Sequence, residues 1–264
     1  MEGFWMMKRS FFNRQSTALT MLYSPVNITD AVARARNAEE DGADAIALEL
    51  KNIPLESRTV EKFKGVINSV QLPFMFVSYR NDCFLGGDDD ARQEYLLNAA
   101  VAGAEVIDVM GDLYAPAPRE LASEPGAIAK QKKLIAKIHD LGAKVIMSSH
   151  MKESLASEDV LAHMLEQSSR GADMMKLVIT INTEEEMLEA VRTLLLLRKK
   201  LDKPYVFLTS GAYGRFIRYT GAKLGVAVQF ALYEHIGEWG IPPTVKSFRK
   251  VLDNFHWDID NVKL

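Results

Sequence analysis

The sequence predicts an α/β fold, a (β/α)8 TIM barrel that forms a single domain over residues 1–264. Three observations lead to this prediction. Strand-like apolar runs alternate with helix-like runs along almost the whole chain. Eight strand segments can be counted, and a barrel of this kind usually needs about 250 residues. A small-residue turn recurs between helix and strand at a spacing of about 30 residues, which indicates an internal repeat.

The eight predicted strands are short and almost continuously apolar, as strands buried on both faces are. Each is bounded by Gly, Pro or Asp, and a doubly wound sheet is the alternative architecture. The glycine fingerprint GxGxxG of that alternative is absent from the sequence. The predicted strands are residues 17–24, 43–50, 73–80, 105–111, 144–150, 174–181, 204–211 and 226–233.

The segments between the strands show helical periodicity. Apolar residues recur at three- and four-residue spacing in 28–35 and again in 95–100. Segment 182–201 opens with an Asn-Thr cap and an acidic first turn, and it ends in basic residues that suit the helix dipole. Two irregular loops, 112–128 and 234–243, follow strands four and eight, so both are expected at the C-terminal end of the barrel, where active sites form.

The composition excludes several classes of function. The chain is 48% hydrophobic and 25% charged with a net charge of −3, so neither a nucleic acid nor a membrane surface is an expected partner. No run approaches the roughly 18 apolar residues of a membrane helix, and no secretory signal pattern is present. Cys83 is the only cysteine, which excludes an intrachain disulfide and a cysteine-based zinc site. A cytoplasmic location is the default expectation.

Lys176 stands out because it interrupts the apolar sixth strand, MMKLVITI. A desolvated lysine has a lowered pKa and becomes a nucleophile toward ketones and aldehydes. The alternative is a lysine at a strand edge that extends to solvent. If the amine is buried for its chemistry, Lys176→Met should leave the stability unchanged or raise it.

His150 ends the fifth predicted strand and is one of only five histidines. Strands five and six are neighbours in a barrel, so His150 and Lys176 should reach the same end of it. An imidazole at that place could act as a general acid and base near neutral pH. A lone histidine is more often structural, but here the position and the neighbouring lysine agree.

Other strand ends are also charged. Strand two ends in Glu49 and Lys51, strand three ends in Arg80, and Arg215 and Arg218 follow strand seven. Arginine binds carboxylates with two parallel hydrogen bonds, so together these residues indicate a small anionic substrate. A single arginine of this set would more often be a solvated surface charge. A metal site is not expected, because His150 has no second histidine at ligand spacing.

With these motifs in strand order, residues 40–233 resemble type I 3-dehydroquinate dehydratase. The resemblance rests on Glu49-Leu50-Lys51 for the family's Glu-x-Arg, Tyr79-Arg80 with Gly86-Gly87 for its Phe-Arg and double glycine, Ser149-His150 for its Asn-His, Lys176-Leu177-Val178 around its Schiff-base lysine, and Arg218 with Gly214 and Gly221 for its carboxylate-binding arginine.

The resemblance implies a carbon-oxygen lyase of the shikimate pathway that is usually a homodimer and needs no cofactor. It would convert 3-dehydroquinate to 3-dehydroshikimate through an imine on Lys176, with His150 as acid and base. Arg218 would bind the substrate carboxylate, and Glu49, Lys51 and Arg80 would complete the substrate-binding set. The expected partners are a small anionic keto substrate and a second copy of the chain.

The chain also departs from the family pattern. Leu85 replaces the glutamate that orients the histidine, and the nearby Asp82 is about three residues out of register. Met110 replaces the glutamate of the strand-four Asp-x-Glu motif, and Lys51 replaces an arginine. The loop after strand eight has a histidine, a glutamate and a tryptophan but no glutamine.

Two alternatives therefore stay open. One is a Schiff-base lyase or aldolase that acts on another keto substrate, with an anion bound at TSGAYG, residues 209–214. The other is a non-catalytic relative, which the lost glutamates favour and the presence of both Lys176 and His150 disfavours.

Overall fold

The computed structural model describes residues 9–14, 16–235 and 242–262. Within them, eight parallel strands form a nearly closed barrel surrounded by eight helices, which confirms the predicted fold class. Every predicted strand is present, with bounds that differ by at most a few residues. The strands are β1 Ala18–Tyr23, β2 Ala45–Glu49, β3 Phe74–Val77, β4 Val106–Met110, β5 Lys144–His150, β6 Met174–Thr180, β7 Tyr205–Ser210 and β8 Val228–Ala231.

The helices alternate with the strands, and most begin at a side chain that caps the first turn. In one of them Thr183 and Glu186 form a reciprocal capping box, as the Asn-Thr start and acidic first turn predicted. The helices are α1 Ile28–Glu40, α2 Val60–Ile67, α3 Asp89–Val101, α4 Pro125–Asp140, α5 Ser157–Ser169, α6 Glu184–Lys200, α7 Gly214–Gly221 and α8 Val245–Asn254.

The strand order around the barrel is β7-β6-β5-β4-β3-β2-β1-β8, and each hydrogen-bonded pair is parallel. Strands β7 and β8 meet without a regular ladder. One backbone bond crosses this seam, from the Ala227 N–H to the Tyr205 carbonyl oxygen at 2.9 Å. The described strands therefore enclose an interior, and every second residue of each strand points into it.

The interior contains an apolar layer with a polar layer above it. Ala47, Val77, Val106, Ile146 and Met174 belong to the apolar cluster inside the barrel. Side chains alternate along a strand, so residues two positions further face the same interior, nearer the C-terminal ends. These positions, here named the polar layer, are Glu49, Tyr79, Asp108, Ser148 and Lys176.

The two predicted loops differ in how far the structure describes them. The loop after β4 ends earlier than predicted, because α4 begins at Pro125 with proline in its first turn. Of the loop 234–243, residues 236–241 lie outside the described residues. None of the helices described here is long and apolar enough to cross a membrane.

Candidate active site

Lys176 lies in the polar layer and is only 5% exposed. Its Nζ donates a hydrogen bond to Tyr79 Oη at 2.7 Å and lies 3.5 Å from Asp108 Oδ2. Asp108 is buried as well, and it accepts bonds from Tyr79 Oη at 3.0 Å and from Ser148 Oγ at 2.5 Å. The lysine is therefore neither at a strand edge nor isolated, because it belongs to a buried hydrogen-bonded group.

The surroundings lower the pKa of the Lys176 ammonium group. Burial is the largest cause, and the positive charge of Arg218 adds to it, whereas Asp108 and Glu120 oppose the shift. A lowered pKa increases the fraction of neutral amine at physiological pH, which is the form that attacks a carbonyl carbon. The buried position of this side chain thus agrees with the nucleophile predicted from the sequence.

His150 ends β5 opposite Val178 of β6, two positions beyond Lys176. Its ring packs edge-on against Tyr79 with centroids 5.2 Å apart, and Tyr79 in turn accepts from Lys176. Its partner was not predicted from the sequence. Glu120, in the loop after β4, accepts hydrogen bonds from the His150 backbone N–H at 2.7 Å and lies 3.0 Å from the ring Nδ1. This carboxylate fixes the orientation of the imidazole and leaves Nε2 as the nitrogen free for proton transfer.

Burial raises the pKa of Glu120, but the hydrogen bonds and the charge of His150, together with the charge of Lys176, outweigh it and lower the pKa overall. Glu120 is therefore ionised at neutral pH. A carboxylate hydrogen-bonded to a histidine stabilises the imidazolium that forms when the ring accepts a proton. The two residues have the geometry of an acid-base pair.

The loop holds Glu120 in place by several contacts. Its backbone has φ +45°, in the left-handed region that costs non-glycine residues roughly 1–2 kcal/mol. Its carbonyl oxygen accepts from Ser149 Oγ at 2.7 Å, and Arg170 donates to the Ala122 carbonyl oxygen at 2.6 Å. Gly111 is required here, because a Cβ at that position would collide with the Glu120 carbonyl oxygen and with Ser149 Oγ.

Asp82, the acidic residue that precedes Leu85 in the loop after β3, is not the partner of the histidine. Asp82 is fully buried in a two-bond ion pair with Arg58, at 2.7 and 3.0 Å. It also accepts hydrogen bonds from the backbone N–H groups of Phe84 and Leu85. Asp82 therefore braces the loop after β3, while Glu120 holds the histidine from the loop after β4.

Arg218, on α7, is 7% exposed, and its Nε donates to the Thr209 carbonyl oxygen at 3.0 Å. No ion pair with an acidic side chain joins it to the rest of the described structure. Burial lowers its pKa to about 10, which is still high enough to keep the guanidinium charged at neutral pH. A buried cation without an acidic neighbour is well placed to bind an anion.

The other predicted binding residues are already paired. Glu49 accepts from Ser24 and forms an ion pair with Lys51, whose Nζ is 3.1 Å away. Arg80 forms ion pairs with Asp112 at 2.8 Å and Asp89 at 3.1 Å. Glu49 ends β2 and Lys51 lies in the turn that follows, so this ion pair is at the C-terminal end of the barrel. Two acidic groups hold Arg80 in the loop after β3.

A metal centre is not a feature of the described part of the chain. No group of three or more His, Cys, Asp or Glu side chains within it is arranged to hold a metal ion.

Comparison with known proteins identifies relatives of this chain. A family model described as type I 3-dehydroquinase matches residues 25–258. A 3-dehydroquinate dehydratase from Klebsiella pneumoniae subsp. pneumoniae is 22% identical over 258 residues, covering 93% of this chain and 96% of the relative. One from Aromatoleum aromaticum is 28% identical over 142 residues, covering 51% of this chain and 50% of the relative.

Solved structures of similar proteins share the fold. The type I 3-dehydroquinate dehydratase of Clostridium difficile, solved with covalently modified comenic acid, gives a TM-score of 0.76 at 16% identity and covers 92% of this chain and 93% of its own. The 3-dehydroquinate dehydratase of Geobacillus kaustophilus gives 0.75 at 16% identity, covering 92% of each chain. At such low identity these similarities establish the barrel architecture, while the residues of the site must be judged from their own geometry.

Proposed function

The chain belongs to the type I 3-dehydroquinase family, and on this premise we propose that it is a carbon-oxygen lyase that dehydrates 3-dehydroquinate to 3-dehydroshikimate. The observation that supports this most directly is the buried amine of Lys176. It lies near a histidine-carboxylate pair and within the electrostatic range of a buried arginine that has no acidic partner among the described residues. These are the three functions that an imine-forming dehydratase of an anionic keto substrate requires.

In the first step, the neutral Lys176 amine attacks the ring ketone, and loss of water gives an iminium ion. The positive iminium nitrogen withdraws electrons from the adjacent carbon and acidifies its C–H bond. The buried surroundings strengthen this electrostatic effect because little water is present to screen it.

In the second step, His150 removes the proton from that carbon through Nε2, since Glu120 faces Nδ1. Glu120 stabilises the resulting imidazolium. The protonated ring then donates to the β-hydroxyl as the carbon-oxygen bond breaks and water leaves. Hydrolysis of the product imine releases 3-dehydroshikimate and regenerates the Lys176 amine.

Arg218 is proposed to bind the substrate carboxylate. Glu49 and Lys51 are proposed to contact the substrate hydroxyls from β2, and Arg80 is proposed to maintain the loop after β3 through Asp89 and Asp112. Binding of the anion would supply the negative charge that Arg218 lacks within the described structure.

The test is incubation of the protein with 3-dehydroquinate and borohydride, followed by mass spectrometry, beside an optical assay for 3-dehydroshikimate. The expected result is product formation and a reduced adduct on the peptide that contains Lys176. Trapping by a different keto acid, with none by 3-dehydroquinate, would refute this substrate and favour the lyase or aldolase alternative. Absence of trapping by any ketone would favour the non-catalytic relative.

We also propose, from the resemblance to this family, that the protein is a cytoplasmic homodimer. Light scattering coupled to size-exclusion chromatography measures the mass directly, and a mass near 29.6 kDa, that of one chain, would refute the dimer.

A further inference from the structure

Tyr79 differs from the phenylalanine that the family pattern has at this position on strand three. Its hydroxyl lies in the polar layer, between the amine that forms the imine and a buried carboxylate. Tyr79 Oη accepts from Lys176 Nζ at 2.7 Å and donates to Asp108 Oδ2 at 3.0 Å, whereas the amine and that carboxylate oxygen are 3.5 Å apart. The amine therefore reaches Asp108 in two ways: directly, by a contact at the upper limit of a hydrogen bond, and through the phenol by two shorter hydrogen bonds.

The neighbours of this path keep it in place. The Tyr79 ring packs edge-on against His150, at an interplanar angle of 86°. Ser148 Oγ donates to the second oxygen of Asp108 at 2.5 Å, so the carboxylate cannot rotate away from the phenol without losing a bond. Burial and the charge of Asp108 raise the pKa of Tyr79 well above its ordinary value. The phenol therefore keeps a proton at neutral pH and can give one up only as it receives another.

We propose that Tyr79 is a catalytic residue that relays protons between Lys176 and Asp108 while the imine forms and hydrolyses. This inference rests on the proposed imine chemistry and adds a proton path to it that is separate from His150. His150 is then free to act on the carbon acid and on the β-hydroxyl.

The relay balances as follows. The Lys176 ammonium donates a proton to Tyr79 Oη as the phenol passes its own proton to the Asp108 carboxylate, which leaves a neutral amine. The amine lone pair forms the carbon-nitrogen bond, the carbonyl π pair moves to oxygen, and the nitrogen transfers a proton to that oxygen. Asp108 then returns its proton through Tyr79 to the carbinolamine hydroxyl. This hydroxyl leaves as water as the nitrogen lone pair forms the iminium double bond, and Asp108 is again a carboxylate.

The substitution Tyr79→Phe tests the relay because it removes one oxygen atom and installs the residue of the family pattern. General acid-base groups typically contribute 10²–10⁴-fold to a rate. We expect the rate of imine formation, measured by rapid quenching in borohydride, to fall at least about 100-fold. The matched control is Tyr205→Phe, at the opposite end of the barrel on β7, where the hydroxyl donates to the backbone carbonyl oxygens of Leu194 and Leu224 at 3.4 Å. Its trapping rate should equal that of the wild type.

A second variant separates a relay from a purely structural hydrogen bond. Asp108→Asn keeps the size of the side chain but cannot take up the proton. If both residues act as one path, Asp108→Asn and the double variant with Tyr79→Phe should be as slow as the single Tyr79→Phe protein. Additive losses, or an unchanged trapping rate in a folded Tyr79→Phe protein that still makes product, would overturn the relay and leave the proposed function standing. A wild-type protein that no ketone traps would overturn both.

Discussion

Replacement of Glu120 tests whether this loop residue supplies the orienting carboxylate that Leu85 lacks. Glu120→Gln keeps the shape of the side chain, and its amide oxygen can still accept from the His150 backbone N–H. It removes the negative charge that faces Nδ1, 3.0 Å away. The ring then loses both a fixed orientation and the partner of its protonated form, so proton abstraction should slow while the imine still forms.

The size of the effect follows from the single charged hydrogen bond that is lost. Such a bond contributes about 1.5–3 kcal/mol, which corresponds to a reduction in kcat of about ten- to a hundredfold. KM should change little, because the side chain faces the histidine. Glu120→Gly serves as the matched variant: glycine accepts φ +45° without strain, so it removes the carboxylate while the backbone geometry stays possible.

The assay combines steady-state kinetics with borohydride trapping. The expected result is a low kcat in both variants with wild-type trapping. An unchanged kcat would refute the orienting role, and a loss of trapping in both variants would mean that the loop instead builds the Lys176 pocket.

The lowered pKa of Glu120 adds a test by pH. A carboxyl group whose pKa is lower in the folded than in the unfolded state stabilises the fold at any pH above its unfolded-state pKa, which is about 4.3 for glutamate. This stabilisation disappears as the pH falls through the folded-state pKa. The wild type should therefore melt at a higher temperature than Glu120→Gln at pH 7. The difference should begin to shrink below about pH 4 and should vanish once the pH is below the folded pKa of Glu120. A difference that persists in strong acid would mean that charge is not the cause.

Three further predictions concern neighbouring residues. Arg218→Ala should raise KM about ten- to a hundredfold. Arg218→Lys should recover part of this loss, because it restores the charge without the two-bond geometry. An unchanged KM in Arg218→Ala would mean that the anion binds elsewhere. Lys176→Met should abolish trapping. Contrary to the expectation from sequence, it should also destabilise the fold by about 3–5 kcal/mol, because Asp108 loses its cation. Thermal melts should show that Asp108→Asn restores part of the stability in the double variant, and a melting point of Lys176→Met equal to or above that of the wild type would refute this. Gly111→Ala should displace the Glu120 carbonyl and lower kcat as Glu120→Gln does, and a wild-type kcat would show that the loop adjusts.

The barrel and the position of its lysine could be predicted because both depend on periodicity. Buried parallel strands are nearly continuous apolar runs, and side chains alternate along them with a period of two. Lys176 interrupts one such run at an interior position, and His150 ends the run beside it. The chemical signal was therefore a polar residue at a position that the pattern requires to be buried.

Glu120 could not be predicted because no period governs the loop after β4. It is thirty positions before His150 in the sequence, and its backbone takes a left-handed conformation that the sequence does not signal. Only the folded structure shows that Gly111, at the end of β4, leaves room for the Glu120 carbonyl. The sequence places Tyr79 where the family has phenylalanine but does not indicate a role for its hydroxyl, because the partner Asp108 lies on β4.

The departures at Leu85 and Tyr79 have a common physical basis in the charge balance of the polar layer. Burial and the positive charge of Arg218 lower the pKa of Lys176, whereas the negative charges of Asp108 and Glu120 raise it. Leu85 carries no charge, whereas the family pattern has a glutamate at this place. Glu120 restores that charge from another loop. Glu120 faces His150, as the family's glutamate does, so the proton of the amine has a separate acceptor in Asp108, and the phenol of Tyr79 is proposed to provide the path to it. Both departures therefore bear on Lys176: Glu120 acts on its pKa as a negative charge, and the Tyr79 phenol is proposed to carry its proton to Asp108.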